Sequence, residues 1–217
     1  MLTAYVGQTG SLRTEYETFG EPVTSCVWAP DGQSIILGSM DKERALCQWS
    51  LSGARLYNWT TKHRIEDVAV SPDGQWLVGM AYGNRLLVYN YMTRELENEL
   101  DLNARPTSIS ICNDSQFLLV NKEDGEAKLI HLASGESPVR YTGHTGGLYQ
   151  IRSAFGGANE SYVVSGSEDG NILIWHKWTG IQVKSLPGHS PRTNGVWWNP
   201  TDTCMFASCG DDGKIKM

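Results

Sequence analysis

Ser165-Gly166-Ser167-Glu168-Asp169, running through Gly170-Asn171 into the apolar stretch Ile172-Leu173-Ile174-Trp175, reads as two short strands joined by an acidic turn. The pattern returns in looser letters downstream, where Ser208 precedes Asp211-Asp212. A Gly-His pair stands ahead of each, Gly143-His144 and Gly188-His189, 45 residues apart. Outward from this stretch, an apolar or aromatic residue ends a strand once per interval, at Trp49, Tyr89, Ile130 and Trp175, with spacings of 40, 41 and 45 residues. Turns of the form Pro-Asp-Gly mark a second phase at Pro30-Asp31-Gly32 and Pro72-Asp73-Gly74, 42 residues apart. Degenerate versions follow at Asn113-Asp114-Ser115 and Pro200-Thr201-Asp202.

A self-similar unit of about 40–45 residues, built from hairpin turns and alternating apolar residues, is the length of one four-stranded propeller blade. Val68 and Val70 alternate with Ala69, and Leu86 to Tyr89 form a continuous apolar run, as inner strands do. Ser52-Gly53, Ser134-Gly135 and Thr179-Gly180 supply the turn into each outermost strand. No stretch reads as a helix. The expected fold is all-β, an incomplete β-propeller of about four to five blades of four-stranded antiparallel sheet. Its repeats fall at 18–60, 61–100, 101–140, 141–185 and 186–217, with residues 1–17 as the outer strand of an earlier blade.

Composition narrows the function. Lys and Arg total 18 against 24 Asp and Glu, a net charge of −6, which disfavours a phosphate backbone as partner. No apolar run approaches the ~20 residues that cross a bilayer, and Met1 to Gly10 lack the order of a secretion signal. The five cysteines, Cys26, Cys47, Cys112, Cys204 and Cys209, form no CxxC pair, so neither a disulfide framework nor a zinc site is indicated. Neither nucleic acid, a membrane nor a small-molecule substrate is expected as a partner.

His144, Ser165, Asp169 and Trp175, with His189, Ser208 and Asp212 one unit later, resemble the WD-repeat signature. The resemblance implies that each set forms a buried polar network tying strands together. A hydrolase triad is the competing reading, but a triad needs one constellation and this one recurs with the blade period. A propeller enzyme with a channel metal or carboxylates would place acidic or His residues on the innermost strands, where Val68, Val70, Ile109, Ile151 and Val196 are found instead.

The stretch from Tyr149 to Glu160, with its Phe155-Gly156-Gly157 loop, and the ending Ile174-Trp175-His176-Lys177 are similar to the last blades of the WD-repeat subunit of GID/CTLH-type ubiquitin ligase complexes. That resemblance implies a non-catalytic scaffold or substrate-recruiting subunit supporting ubiquitin-dependent protein degradation, in the cytoplasm and also the nucleus. Its expected partners are ligase subunits and substrates, and it implies no cofactor. The alternative is a generic WD-repeat adaptor in another assembly. The family also carries LisH and CTLH helical segments ahead of the propeller. These are absent from the 217 residues, so the ring is expected to be completed by further sequence. Candidate partner contacts are Arg152, Trp178 and Trp197: Trp198 takes the core position, which turns its neighbour Trp197 outward.

Overall fold

The fold comes from a computed structural model that describes residues 21–217, together with the backbone of two strands before them. These are β1 (Thr3–Tyr5) and β2 (Leu12–Glu15), an antiparallel pair. Segment 1–17 therefore holds two short strands where one outer strand was expected. Its remaining residues, and with them Thr9 to Ser11, lie outside the described residues. The chain divides into two compact units, Met1–Asp101 and Leu102–Met217.

The first unit contains two four-stranded meanders. One is β3 (Val23–Trp28), β4 (Ser34–Ser39), β5 (Leu46–Ser50) and β6 (Arg55–Asn58); the next is β7 (Ile65–Val70), β8 (Trp76–Ala81), β9 (Arg85–Asn90) and β10 (Leu96–Asp101). The second unit begins with β11 (Pro106–Ile111), β12 (Phe117–Lys122), β13 (Glu126–His131) and β14 (Val139–Thr142). It continues with β15 (Ser153–Gly156), β16 (Tyr162–Gly166), β17 (Asn171–His176) and β18 (Gln182–Pro187), then the three strands β19 (Thr193–Trp198), β20 (Phe206–Gly210) and β21 (Ile215–Lys216). Within each sheet neighbours in sequence pair antiparallel, the architecture of an incomplete WD-repeat propeller. Among the described residues no helix is long and apolar enough to cross a membrane.

The turns explain why the meanders form where they do. Asp31, Asp73, Asp114 and Asp202 each accept, through Oδ1, the backbone N–H two residues on, at 2.8–2.9 Å. A short side-chain acceptor fixes this turn in four of the five sheets of three or four strands; the β15–β16 connection of the other sheet has none among the described residues. On the other hairpin Gly53, Gly135 and Gly180 adopt φ of 89°, 72° and 67°, the left-handed region glycine tolerates. In the second sheet Arg94 takes this role at φ 69°. A bulge near the start of the first strand pair recurs at Val23/Ser25, Ile65/Asp67, Pro106/Ser108 and Thr193/Gly195, adding local twist.

The second and third strands of the four four-stranded sheets are largely buried, while β6, β10 and β18 are largely exposed and β21 of the three-stranded sheet is exposed. In the first unit β7 packs on β3 and β4, enclosing Ile36, Leu46, Trp59, Ile65, Val68 and Leu77. A Cβ on Gly38 would stand 2.8 Å from both Ile65 and Val68, so the sheets approach closely there because the side chain is missing. In the second unit β15 lies against β11 and β12 on one side and β19 on the other. Leu119, Leu129, Tyr141, Phe155, Val163 and Trp175 fill the first of these interfaces; Val164, Ile172, Ile174 and Val196 fill the second. Ile151, expected on an innermost strand, is buried but precedes β15. Gly156 closes β15, and Gly157 alone of that pair lies in the loop, which turns through a short 3-10 segment at Ala158–Glu160.

Candidate functional site

The recurring polar residues differ between the last two sheets. In the fifth, the loop between β18 and β19 drops His189 onto β20: Nδ1 lies 2.7 Å from Asp212 Oδ1 and Nε2 lies 3.0 Å from Ser208 Oγ. Loop, strand and turn are joined by one buried imidazole.

In the fourth sheet the expected set does not close on itself. His144 Nε2 lies 2.8 Å from Oδ1 of Asn121, on β12 of the preceding sheet, and not from Ser165 or Asp169. Asn121 Nδ2 donates to Ser165 Oγ at 3.2 Å and to the Ile151 carbonyl at 3.1 Å. That orients the amide oxygen toward His144, so the imidazole donates through Nε2, and its buried Nδ1 makes no hydrogen bond. Burial lowers the His144 pKa to about 4, against weaker opposing pulls from Asp124 and Asp169. Asp169 is exposed and receives the Asn171 N–H at 3.0 Å. Trp175 Nε1 donates to the Thr142 carbonyl at 2.9 Å, with its ring edge-on to His144 at 5.6 Å. Asn121 is the member that the sequence did not disclose.

The remaining candidates divide between the two ends of β15. Arg152 precedes the strand, and its backbone N–H donates to the Asn194 carbonyl at 2.9 Å. Trp178 and Trp197 belong to the other end, where the β11–β12, β15–β16 and β19–β20 turns meet, so the three do not form one surface. Trp178 is 50% exposed and rests edge-on against Phe117 at 5.0 Å; Trp197 is 53% exposed.

A cleft of about 510 Å³ opens at this end, lined by Asp114, Phe155, Glu160, Lys177 and Trp198 among others. That volume falls within the range of about 300–1,000 Å³ common for ligand sites. Two glycines shape it. A Cβ on Gly156 would collide with the Trp198 indole, and one on Gly157 would stand 2.5 Å from the Tyr162 ring. Their absence lets Trp198 lie over bare backbone, stacked on Tyr162 at 6.3 Å and 15°. This gives the Phe-Gly-Gly loop a physical reason.

The Lys177 ammonium sits in this cleft with its side chain only 3% exposed, 4.9 Å from the Phe155 and Trp178 ring centroids. Its carboxylate neighbours are Asp114 Oδ2 at 3.7 Å and Glu160 Oε2 at 4.0 Å. Burial pushes the Glu160 carboxyl up, opposed by the Asn113 N–H that it accepts at 2.8 Å and by Lys177. For Asp114 burial also acts upward, but hydrogen bonds from Cys112 and the Gln116 N–H, with Lys177, leave its pKa lowered. Burial raises the Cys47 and Cys112 thiols to about 11, so neither carries the thiolate of a nucleophile at neutral pH. Among the described residues no group of three His, Cys, Asp or Glu side chains could hold a metal ion. The arrangement offers contact surface and fixed charges.

Four-stranded meanders repeating every 40–45 residues, with a His–Ser–Asp network bridging loop and strand, define a WD-repeat protein. A family profile described as "WD domain, G-beta repeat" matches residues 10–43, 135–176 and 180–217, more than half of the chain, and the chain belongs to this family. Within it the chain is 37% identical over 205 residues to the "WD repeat-containing protein 26 homolog" of Arabidopsis thaliana, covering 93% of this chain and 34% of the relative. It is 37% identical over 216 residues to "GID complex subunit 7" of Schizosaccharomyces pombe, covering 96% of this chain and 42% of that one. It is also 35% identical to the "WD repeat-containing protein WDS homolog" of Arabidopsis thaliana, over 96% of this chain and 41% of the relative. The chain thus spans less than half the length of these relatives.

Proposed function

We propose that this chain is the propeller part of a non-catalytic scaffold or substrate-recruiting subunit in a GID/CTLH-type ubiquitin ligase. In this reading it holds a protein near transfer machinery carried by other subunits, in the cytoplasm and the nucleus, and supports ubiquitin-dependent degradation. The observation that carries it is the 37% identity, over 96% of the chain, to a protein named as a GID complex subunit. The geometry agrees in kind: exposed aromatics beside a cleft of fixed charges suit recognition of a protein, since interface anchors are enriched in Trp. Deleting the gene and measuring protein half-lives across the proteome after a pulse label tests it. A discrete set of proteins should turn over more slowly and accumulate less ubiquitin. Unchanged half-lives throughout would count against the degradation role.

A further inference from the structure

The turns at the cleft end of the second unit are one-sided in charge. They carry Asp114, Glu136, Glu160 and Asp202, against a single lysine among the described residues, Lys177, which is buried. Lys177 does not neutralise this end well. Asp114 Oδ2 and Glu160 Oε2 stand at 3.7 and 4.0 Å, beyond hydrogen-bond reach, and Nζ makes no hydrogen bond among the described residues. One ammonium and two carboxylates thus face the same open volume, held at ion-pair rather than hydrogen-bond distance. Asp114 keeps 42% of its side chain exposed, so a carboxylate oxygen is accessible from solvent. Beside the cleft lies the half-exposed indole of Trp178, 4.9 Å from the Lys177 ammonium, while Trp197 turns away over Gly195 on the other face of β19.

We propose that this cleft docks a segment of a partner protein bearing an arginine or lysine side chain, its cation held by Asp114 and Glu160 and a flanking apolar residue covering Trp178. A cation fits better than an anion because carboxylates outnumber the ammonium two to one in the cleft and four to one across the turns. Lys177 then takes a neutral acceptor, a main-chain carbonyl of the same segment. Its own charge sets the register: the incoming cation is kept toward the solvent side of Asp114, while the backbone carbonyl lies deeper. The inference rests on the scaffold reading only in taking a protein as the partner.

The test uses the full chain, immobilised, and two pools of capped octapeptides randomised except at one central position. That position is arginine in one pool and citrulline, of the same shape without the charge, in the other. At about 50 mM salt the arginine pool should be retained about tenfold better, as a hydrogen-bonded ion pair gives, and this advantage should shrink at about 0.5 M. The preference should vanish in the Asp114→Asn/Glu160→Gln chain. Asp114→Asn alone, which keeps the oxygen that Gln116 N–H bonds, should lower it at least threefold and carries the test should the pair unfold. Equal retention of the two pools by the unaltered chain, or a preference that survives these substitutions, overturns the proposal. Failure here with ligase subunits still bound in cells would remove only the occupant; arginine preference without ligase subunits would remove only the ligase assignment.

Discussion

Lowering the pH through the range in which free histidine titrates should destabilise the second unit through His144. In the fold this imidazole is buried, neutral and donating to Asn121, with its pKa lowered from 6.5 to about 4. The unfolded chain takes up a proton near pH 6.5 and the folded chain does not until near pH 4, so the stability contributed by the neutral ring is present above about 6.5 and is lost as pH falls toward 4. At 1.36 kcal/mol per unit, the loss reaches about 2 kcal/mol by about pH 5 and about 3 kcal/mol once both states are protonated. Urea unfolding at about pH 7.5 and about pH 5, compared with His144→Gln, isolates the effect, because glutamine keeps an N–H for Asn121 and does not titrate. Carboxylates with lowered pKa, Asp114 and Asp169 among them, lose their contribution at lower pH in both chains and cancel. The unaltered chain should lose about 2 kcal/mol more than the variant between the two pH values. Parallel losses would refute the neutral, buried assignment.

Other substitutions probe separate parts of the account. Arg94 holds its guanidinium 4.5, 4.8 and 5.0 Å from the rings of Tyr91, Trp59 and Tyr57 while its backbone is left-handed. Arg94→Ala should cost about 1–2 kcal/mol in urea unfolding and Arg94→Gly about 1 kcal/mol less, since glycine relieves the backbone while both lose the cation–π contacts. Gly156→Ala should destabilise by about 1–3 kcal/mol and shift the Trp198 fluorescence, as the new Cβ displaces that indole. Ser208→Ala should cost about 1–2 kcal/mol in a thermal melt by leaving a buried His189 nitrogen unbonded. Trp197→Ala, at an exposed position, should change stability by less than about 0.5 kcal/mol in the same melt.

The repeat was legible because its turns rest on local chemistry. An Asp that bonds the N–H two residues on has to recur in sequence, as Asp31, Asp73, Asp114 and Asp202 do, and left-handed turn positions recur as glycine. The fifth sheet's network was legible for the same reason, each residue having its own family letter. Asn121 was not, because it joins His144 from the preceding repeat, where no Gly-His or Trp marks the unit, and looks like an ordinary strand residue. The cleft was still less visible: Asp114, Glu160 and Lys177 lie in three separate segments and meet only through sheet packing. Alternation with Trp198 made the exposure of Trp197 legible, yet the residue letters do not say which end of the sheet Arg152, Trp178 and Trp197 each occupy.

The central claim is tested most directly by affinity purification of the full-length gene product from its own cells, with mass spectrometry of what remains after a moderate salt wash. The account predicts stoichiometric recovery of RING-bearing ligase subunits and CTLH-containing proteins. A different stable set of partners, with those subunits absent, would contradict the ligase assignment and leave a WD-repeat adaptor of another assembly.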